Sequence, residues 1–464
     1  MIDHIAQDRL QKERDRFIGT INETNILRLA SWYQNSNNND CYFFQPPRYG
    51  RFNISYFVAF LNGDFWVVRV PISSCLAFDA QMMVEREVAT MQLRDPPSSL
   101  WRCGNGLTFG RLAAWCLRSR LSPSPEIIAY SPEGGNFGIS SFIILEYIEG
   151  MPLSDVRIAG LPARKRNDLY RSLAEIYIEL RTLTFDKIGS LAFNEEGEVE
   201  VAYGPVSAAF NTQEMEGLHP SRIRDLRDPQ GTFQSSLAYI STLLKMTWNV
   251  LHKSPVVTQD EIDAEQTLYY LNRFHEYVRD EWFDEDLSSA PFVLSHCDFT
   301  TRNIIVDDDM DIIAVLGWEW SHVVPRQFLC PPIWLVTDSL DPLTTRQFYD
   351  YHVEEVKKMC TILRASELEQ FETTHLWDEW EETHENGRLL VAPALERMDL
   401  DTMFYFGFRY CDNFQVPTDL VEKFMAQDPA RRQIVAKKVR QGQAHDAECM
   451  RLRLGEYSAS VNLE

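Results

Sequence analysis

The chain of 464 residues lacks the cysteine and histidine patterns of disulfide-rich and zinc-binding proteins. Its nine cysteines are scattered, and no two of them form a C-x-x-C pair. Its ten histidines include no H-E-x-x-H spacing. A disulfide framework or a thiolate zinc site is therefore not expected, and the cysteines are interpreted as reduced thiols of a cytoplasmic protein.

The sequence also lacks a long apolar run and an excess of basic residues. Its longest uncharged run, residues 229–244, is too short and too polar to span a bilayer. The first sixteen residues mix charges of both signs, so no secretory signal is expected. With 45 Lys and Arg against 68 Asp and Glu, the net charge is −23, which argues against nucleic-acid and membrane partners. A nucleotide is still possible, because it needs only a local positive site.

The composition is that of a globular protein with more than one structural unit. Apolar residues make up 45% and charged residues 24% of the chain, enough to bury a sizeable core. Strand patterns dominate before about residue 150 and helical patterns after it. The expected organisation is a helical extension over 1–44, a small sheet-rich lobe over 45–150 and a large, mainly helical lobe over 151–464.

Local patterns predict individual elements within these lobes. Residues 52–60 and 65–70 flank the turn Asn62-Gly63-Asp64, which is typical of a hairpin. Helices are expected over 22–33, 81–93 and 164–183, a strand over 141–147, and a last helix from the N-cap Asp428 to about Leu454.

Residues 94–120 fit this organisation poorly. They contain Pro96-Pro97 and show no sustained period. Their glycines at 104, 106 and 110 miss the dinucleotide-binding spacing by one residue, which disfavours a phosphate loop. A surface insertion and translated intron sequence both remain open.

The segment with chemical content is residues 294–306, followed by a hairpin expected over 303–316. It holds His296, Asp298 and Asn303 in the pattern H-x-D-x-x-x-x-N. Phosphoryl transfer needs a carboxylate to accept the proton of the attacking hydroxyl and an oxygen ligand for magnesium. The alternative is a polar turn between a helix and a hairpin, but the apolar lead-in and the strand-rich lobe upstream favour the kinase-like interpretation.

Three motifs resemble the aminoglycoside phosphotransferase and choline kinase-like family, especially its fungal branch. They are Gly50-Arg-Phe-Asn53, Trp66-Val-Val-Arg-Val-Pro71 and Gly317-Trp-Glu-Trp-Ser-His-Val-Val-Pro325. The resemblance implies an α+β, protein kinase-like two-lobe fold, with a small antiparallel-sheet N-lobe and a large, mainly helical C-lobe. It also implies ATP and Mg²⁺ as cofactors and a small-molecule hydroxyl as phosphoryl acceptor.

The same resemblance implies a role for each matching residue. Asp298 would be the catalytic base, and His296 would tie the loop together. Arg69 would contact the nucleotide phosphates where many members have Lys. The remaining implied sites are Gly50, Phe52, Asn53 and Ser55 in the phosphate loop, Glu87 as the partner of Arg69, the hinge Glu146, Tyr147 and Ile148, and Asn303 as a magnesium ligand.

One position departs from the family pattern. Where the family has the principal magnesium-binding Asp, this chain has Gly317, which has no side chain to coordinate a cation. Glu319, two residues on, could replace it as a metal ligand. The alternative function is therefore a catalytically inactive pseudokinase that binds a nucleotide or a partner. The acidic run at 377–385 could attract a cationic substrate, although a solvated helix face is the favoured interpretation.

Overall fold

The computed structural model describes residues 3–34, 40–93, 123–134, 137–223, 231–256, 258, 260–381, 383–412 and 418–461. The N-terminal lobe contains a five-stranded antiparallel sheet in the order β1-β2-β3-β5-β4. Its elements are α1 (His4–Ile18), α2 (Glu23–Tyr33), β1 (Cys41–Tyr49), β2 (Asn53–Phe60), β3 (Phe65–Pro71), α3 (Ala80–Met91), β4 (Ile127–Ser131) and β5 (Phe142–Glu146).

The alternation of side chains in the β2–β3 hairpin places Ser55 and Arg69 on the face that borders the second lobe. Gly63 has a φ of +94° in the turn, a conformation that glycine adopts without steric cost. Alternate residues such as Ile54 and Val68 are buried in the core of the lobe. Because side chains alternate between faces, Ser55 and Arg69, which pair across the strands, point to the other face. That face borders the second lobe.

The C-terminal lobe is mainly helical and contains short strands. Residues 164–183 were expected to be a helix, and the structure has one over nearly the same residues. Its elements are β6 (Met151–Pro152), α4 (Ala163–Thr182), β7 (Thr184–Phe185), β8 (Ser190–Phe193), β9 (Val199–Tyr203), α5 (Ala208–Met215), α6 (Ser236–Lys253), α7 (Glu261–Tyr277), β10 (Phe292–Ser295), β11 (Ile304–Val306), β12 (Ile312–Val315), β13 (His322–Val324), α8 (Arg346–Phe371), α9 (His375–Glu381), α10 (Val391–Arg397), α11 (Leu400–Phe406), α12 (Thr418–Gln427) and α13 (Pro429–Val461).

Two small sheets hold the segment between β10 and β11. β10 lies between β13 and β7, and β11 lies between β12 and β6, with all pairs antiparallel. Their apolar residues, including Leu294, Ile304 and Val315, belong to the main core of the lobe. The polar loop 296–303 is therefore anchored at both ends by buried strands.

Helix α1 contacts both lobes. The Arg14 guanidinium donates to the backbone oxygen of Gly50 at 3.0 Å, next to β2. On the opposite side, Arg9 donates to the backbone oxygen of Met215 at 2.6 Å, at the end of α5. Asp3 caps the start of α1 and lies 3.1 Å from Nε2 of His445 on α13. The helix thus joins the sheet lobe to two helices of the other lobe.

The architecture confirms the expected α+β, two-lobe fold. Strand β1 begins at Cys41, so the segment 1–44 is not entirely the helical extension that was expected. Residues 94–120 lie outside the described residues. No described helix has the length and apolar character needed to cross a lipid bilayer.

The acidic run at 377–385 has one exposed and one buried side. Asp378 and Glu381 are exposed, as expected for a solvated helix face. Trp380 is buried and donates from its indole nitrogen to the Leu329 oxygen at 2.6 Å. Among the described residues of this run, none lines the cleft between the lobes, so the run is not placed to attract a substrate.

Candidate active site

A cleft with a volume of about 1170 Å³ lies between the lobes. Glu87 is buried behind its wall, and Gly317 follows β12 at its edge. The predicted site residues that line the cleft are Gly50, Phe52, Asn53, Ser55, Arg69, Glu146, Tyr147, Ile148, His296, Asp298, Asn303 and Glu319.

His296 stabilises the catalytic loop through its ring nitrogens. Nε2 lies 3.0 Å from the Leu316 oxygen and donates to it, while Nδ1 accepts the backbone N–H of Asp298 at 3.3 Å. Burial lowers the pKa of His296 to about 4, so the ring is neutral and can make both bonds at once. This geometry gives His296 a positioning role in the loop.

Asp298 is held by Asn303. The Asn303 amide nitrogen donates to the Asp298 carboxylate at 3.1 Å and to its backbone oxygen at 2.9 Å. Burial, followed by the nearby Glu319 carboxylate, raises the pKa of Asp298 to about 6. A carboxylate with a raised pKa at the wall of a cleft is suited to accept a proton near neutral pH.

Arg69 pairs with two carboxylates from different lobes. The predicted pair with Glu87 of α3 is present. Glu85, on the same helix and the less favoured candidate from the sequence, accepts from the Gln81 amide at 3.1 Å. A second pair, which the sequence reasoning missed, joins Arg69 Nη2 to Glu319 Oε1 at 2.6 Å. Burial alone would lower the pKa of Arg69, but Glu319 and Glu87 outweigh it and raise the pKa.

The pocket around Arg69 has more negative than positive charge. Glu87 and Glu319 both pair with Arg69, and burial raises the pKa of Glu87 while Arg69 lowers it. Glu319 accepts a further bond at Oε1 from the Asn53 amide at 2.8 Å. Its other oxygen, Oε2, is buried and has no hydrogen-bond partner among the described residues. An unpartnered carboxylate oxygen of this kind is suited to bind a cation.

The predicted phosphate loop, residues 50–55, lies against the C-terminal lobe. Gly50 donates to the Asn53 oxygen at 2.9 Å, which closes a tight turn before β2. The Phe52 ring packs edge-on against Trp320, with ring centroids 4.7 Å apart. Arg51 donates to the Thr212 hydroxyl at 2.8 Å. The loop is therefore held closed over the cleft by contacts to both sides of the other lobe.

The hinge uses two of its three amides within the protein. Glu146 N–H donates to the Glu126 oxygen at 2.9 Å, and Tyr147 N–H donates to the Phe65 oxygen at 3.0 Å. The Tyr147 ring packs against Phe65 with centroids 6.4 Å apart. Ile148, the third residue of the predicted hinge, also lines the cleft.

Gly317 has a left-handed backbone conformation, with a φ of +81°. A Cβ at this position would lie 2.9 Å from Nδ2 of Asn303. The side chain of any other residue would therefore press on the Asn303 amide, which would have to shift. Among the described residues, no group of three or more His, Cys, Asp or Glu side chains is arranged to hold a metal ion.

The sequence profile of the APH phosphotransferase enzyme family matches residues 83–328. The chain belongs to this family. The match confirms the resemblance to the phosphotransferase family, and of the three motifs only the one that starts at Gly317 lies within the matched residues. It includes the catalytic loop and ends just after the motif that starts at Gly317, whereas the first three strands of the N-lobe lie outside it. No curated protein sequence shows significant similarity to the chain.

Solved phosphotransferase structures are distant from this chain in sequence. A thermostable mutant of aminoglycoside phosphotransferase APH(4)-Ia, in complex with AMP-PNP and hygromycin B, is 15% identical and has a TM-score of 0.38, over 80% of this chain and 94% of that chain. The gentamicin–APH(2")-IIa complex is 13% identical with a TM-score of 0.36, over 82% and 97%. The ADP-bound APH(2'')-Ib is 14% identical with a TM-score of 0.35, over 79% and 94%. These values are too low to transfer a substrate.

Proposed function

We propose that the protein transfers the γ-phosphoryl group of ATP to a hydroxyl group of a small molecule. The observation that carries the proposal is the Asp298–Asn303 pair at the wall of the interlobe cleft. The raised pKa of Asp298 suits a general base, and Arg69 supplies a fixed cation on the nucleotide side. Membership of the phosphotransferase family supports the same reaction class.

The chain's own residues divide the reaction between them. The Asp298 carboxylate orients the acceptor hydroxyl and takes its proton as the hydroxyl oxygen bonds to the γ-phosphorus. The bond from that phosphorus to the β,γ-bridging oxygen breaks, and ADP leaves. Asn303 and His296 hold Asp298 in place, and the loop at Gly50–Ser55 excludes water.

A divalent cation fits the polar edge of the cleft. Asn303 and Glu319 offer hard oxygen ligands, and Glu319 Oε2 has no protein partner among the described residues. Without a cation, the carboxylates of Glu87, Glu319 and Asp298 would repel a triphosphate. When bound, Mg²⁺ would neutralise charge that develops on the phosphates. Gly317 leaves this site with one carboxylate fewer than the family pattern.

A pseudokinase is the second candidate, and Gly317 favours it. The Arg69–Glu319 pair already neutralises the carboxylate that would have to replace the missing metal ligand. Titrating ATP with and without Mg²⁺ separates the two candidates. A working phosphotransferase binds ATP more tightly when Mg²⁺ is present and releases ADP in the presence of a substrate. Equal affinity in both conditions, with no ADP release, would support the pseudokinase.

Gly317→Asp is expected to tighten Mg·ATP binding and to raise basal ATP turnover about tenfold or more, roughly 1.4 kcal/mol. The new carboxylate would lie beside Asn303 and give Mg²⁺ a second protein carboxylate ligand with Glu319. Asp tolerates a left-handed conformation better than most residues, but a cost of about 1–2 kcal/mol in folding free energy is expected. Calorimetric titration and an ADP-release assay measure the two gains.

Gly317→Asn is the matched control, since it has the same shape and the same backbone tolerance without the charge. It should not tighten Mg·ATP binding. An absent response to Gly317→Asp would show that the cleft has lost more than one ligand. High activity of the unmodified protein that Glu319→Gln destroys would instead show that Glu319 already holds the metal.

The rate of phosphoryl transfer is expected to rise with pH through about 6 and then level off. The base must be ionised to accept a proton, and burial raises the pKa of Asp298 to about 6. Below that pH Asp298 is protonated, so the rate should fall about tenfold per pH unit. A profile of kcat/KM between pH 5 and 8 measures the midpoint. A rate that is flat down to pH 5 would contradict the assignment of Asp298 as the base.

A further inference from the structure

The cleft continues beyond the catalytic loop into the helical lobe. There its lining changes from polar to aromatic and aliphatic, with Tyr177 of α4, Tyr239 of α6, Phe328 and Leu329. All four residues are buried and belong to the main hydrophobic core. This end of the cleft, which we call the acceptor pocket, can therefore hold the apolar part of a ligand.

Gln213 of α5 places an unpartnered amide oxygen in the acceptor pocket. The side chain lines the cleft and is only 5% exposed. Its nitrogen contacts the sulfur of Met398, and because a thioether accepts but cannot donate, this contact fixes which end of the amide is nitrogen. Its oxygen Oε1 is buried and has no hydrogen-bond partner among the described residues.

Glu396 of α10 provides a second unpartnered oxygen. Its side chain also lines the cleft, and Oε1 is buried with no hydrogen-bond partner in the described part of the chain. Burial is the main cause that raises the pKa of Cys297 and of Cys330, and the Glu396 carboxylate is the second. Glu396 therefore lies close to the loop that contains Cys297. Burial raises the pKa of Glu396 itself to about 8, more than Arg397 lowers it.

Two other carboxylates at this end of the cleft, those of Asp338 and Asp399, have hydrogen-bond partners. Asp338 accepts the Thr301 hydroxyl at 3.2 Å. Asp399 accepts the backbone N–H groups of Asp401 and Thr402, at 3.1 and 3.2 Å, as the cap of α11. Among the described residues that line this end of the cleft, the buried oxygens without a hydrogen-bond partner are Gln213 Oε1 and Glu396 Oε1.

We propose that the acceptor pocket binds a compact substrate with an apolar body and two hydrogen-bond donors, one for Gln213 Oε1 and one for Glu396 Oε1. The inference rests on the proposed function, because the substrate's hydroxyl must reach Asp298 from this side. Buried polar atoms are nearly always paired in folded proteins, so two unpaired oxygens in one cavity point to a ligand that pairs them. The aromatic and aliphatic part of the lining favours an apolar body over a ligand that is polar throughout.

The test compares three probes in the presence of ADP, by calorimetric titration of the full chain. 2-Amino-1-phenylethanol has an apolar ring and two donor groups, choline is a cation without an N–H donor, and kanamycin is a polycation. The amino alcohol is expected to bind at least about tenfold more tightly than either of the others. Kanamycin binding more tightly than the amino alcohol, or no binding of the amino alcohol, would overturn the proposal.

The variants Gln213→Met and Glu396→Met test whether these two oxygens bind the amino alcohol. Each substitution keeps the side-chain length and removes the unpartnered acceptor, so amino alcohol binding should weaken about tenfold while ADP binding stays unchanged. The melting temperature should hold or rise, because an unpaired buried polar atom is lost. If Gln213 or Glu396 had a purely structural role, its variant would instead have a lower melting temperature and would bind the amino alcohol as before.

Glu381→Met is the control for losing a carboxylate, since Glu381 is exposed and outside the cleft. It should leave amino alcohol binding unchanged. Either pocket variant binding the amino alcohol as tightly as the unmodified protein would overturn the proposal. If the unmodified protein fails to bind ADP, the proposed function is wrong. The pocket proposal is judged separately, by the relative affinities of the three probes.

Discussion

Asp298→Asn is expected to lower phosphoryl transfer about a thousandfold while ADP still binds. The amide has the shape of the carboxylate but cannot accept the proton of the acceptor hydroxyl. The nucleotide contacts proposed for Arg69 and the Gly50–Ser55 loop do not involve this side chain. Steady-state ADP release and calorimetric ADP titration measure the two effects separately.

Asp309→Asn is the matched control for this substitution. Asp309 is an exposed carboxylate in the turn between β11 and β12, only eleven residues from Asp298. Its replacement should leave both activity and ADP affinity unchanged. If Asp298→Asn retained more than about a tenth of the original rate, Asp298 would not be the base, and another group would have to accept the proton.

Arg69→Ala is expected to destabilise the folded chain by about 3–5 kcal/mol. The substitution removes one buried cation and leaves Glu87 and Glu319 without their partner. Breaking a buried ion pair costs more than the pair contributes, because the remaining charges stay desolvated. The free energy of unfolding from urea titration measures the loss, provided that the slope of the transition is unchanged.

Arg171→Ala gives the comparison with an exposed pair. Arg171 on α4 pairs with Asp168 at 2.9 Å, and its side chain is 55% exposed. Its removal should cost less than about 1 kcal/mol, because water screens both charges. Arg69→Lys should fall between the two, since one ammonium group cannot fork onto both carboxylates. A loss below about 1 kcal/mol for Arg69→Ala would show that the two carboxylates find other partners.

Elements with local signals could be predicted from the sequence. The β2–β3 hairpin follows from alternation and the turn at Asn62-Gly63-Asp64, and residues 164–183 follow from helical periodicity. The hairpin that follows the loop could be predicted from two short apolar runs, whereas the apolar lead-in was given no secondary structure and forms strand β10. These patterns arise from residues that are close together in the sequence, so the predicted elements agree closely with those of the structure.

Contacts between distant residues could not be predicted in the same way. Arg69 and Glu319 are 250 positions apart, so no local pattern connects them. Gln213 and Glu396 belong to no motif, and only the folded cleft brings them together. Helix α1 lies within the expected helical extension, but its bounds could not be predicted, because Ala6 is its only buried residue and leaves no apolar period to detect. A strongly charged helix that starts with an Asp cap is the signal that could have revealed it.

The contacts of α1 have a consequence for movement between the lobes. Arg14 is joined to the phosphate loop, while Arg9 and Asp3 are joined to the helical lobe, so one rigid rod connects both bodies. A hinge rotation that widens the cleft must either carry α1 with one lobe and break its bonds to the other, or pivot about the rod itself. In both cases the rate at which the proposed nucleotide enters would depend on side chains of α1, which lie more than 200 positions before the loop 296–303.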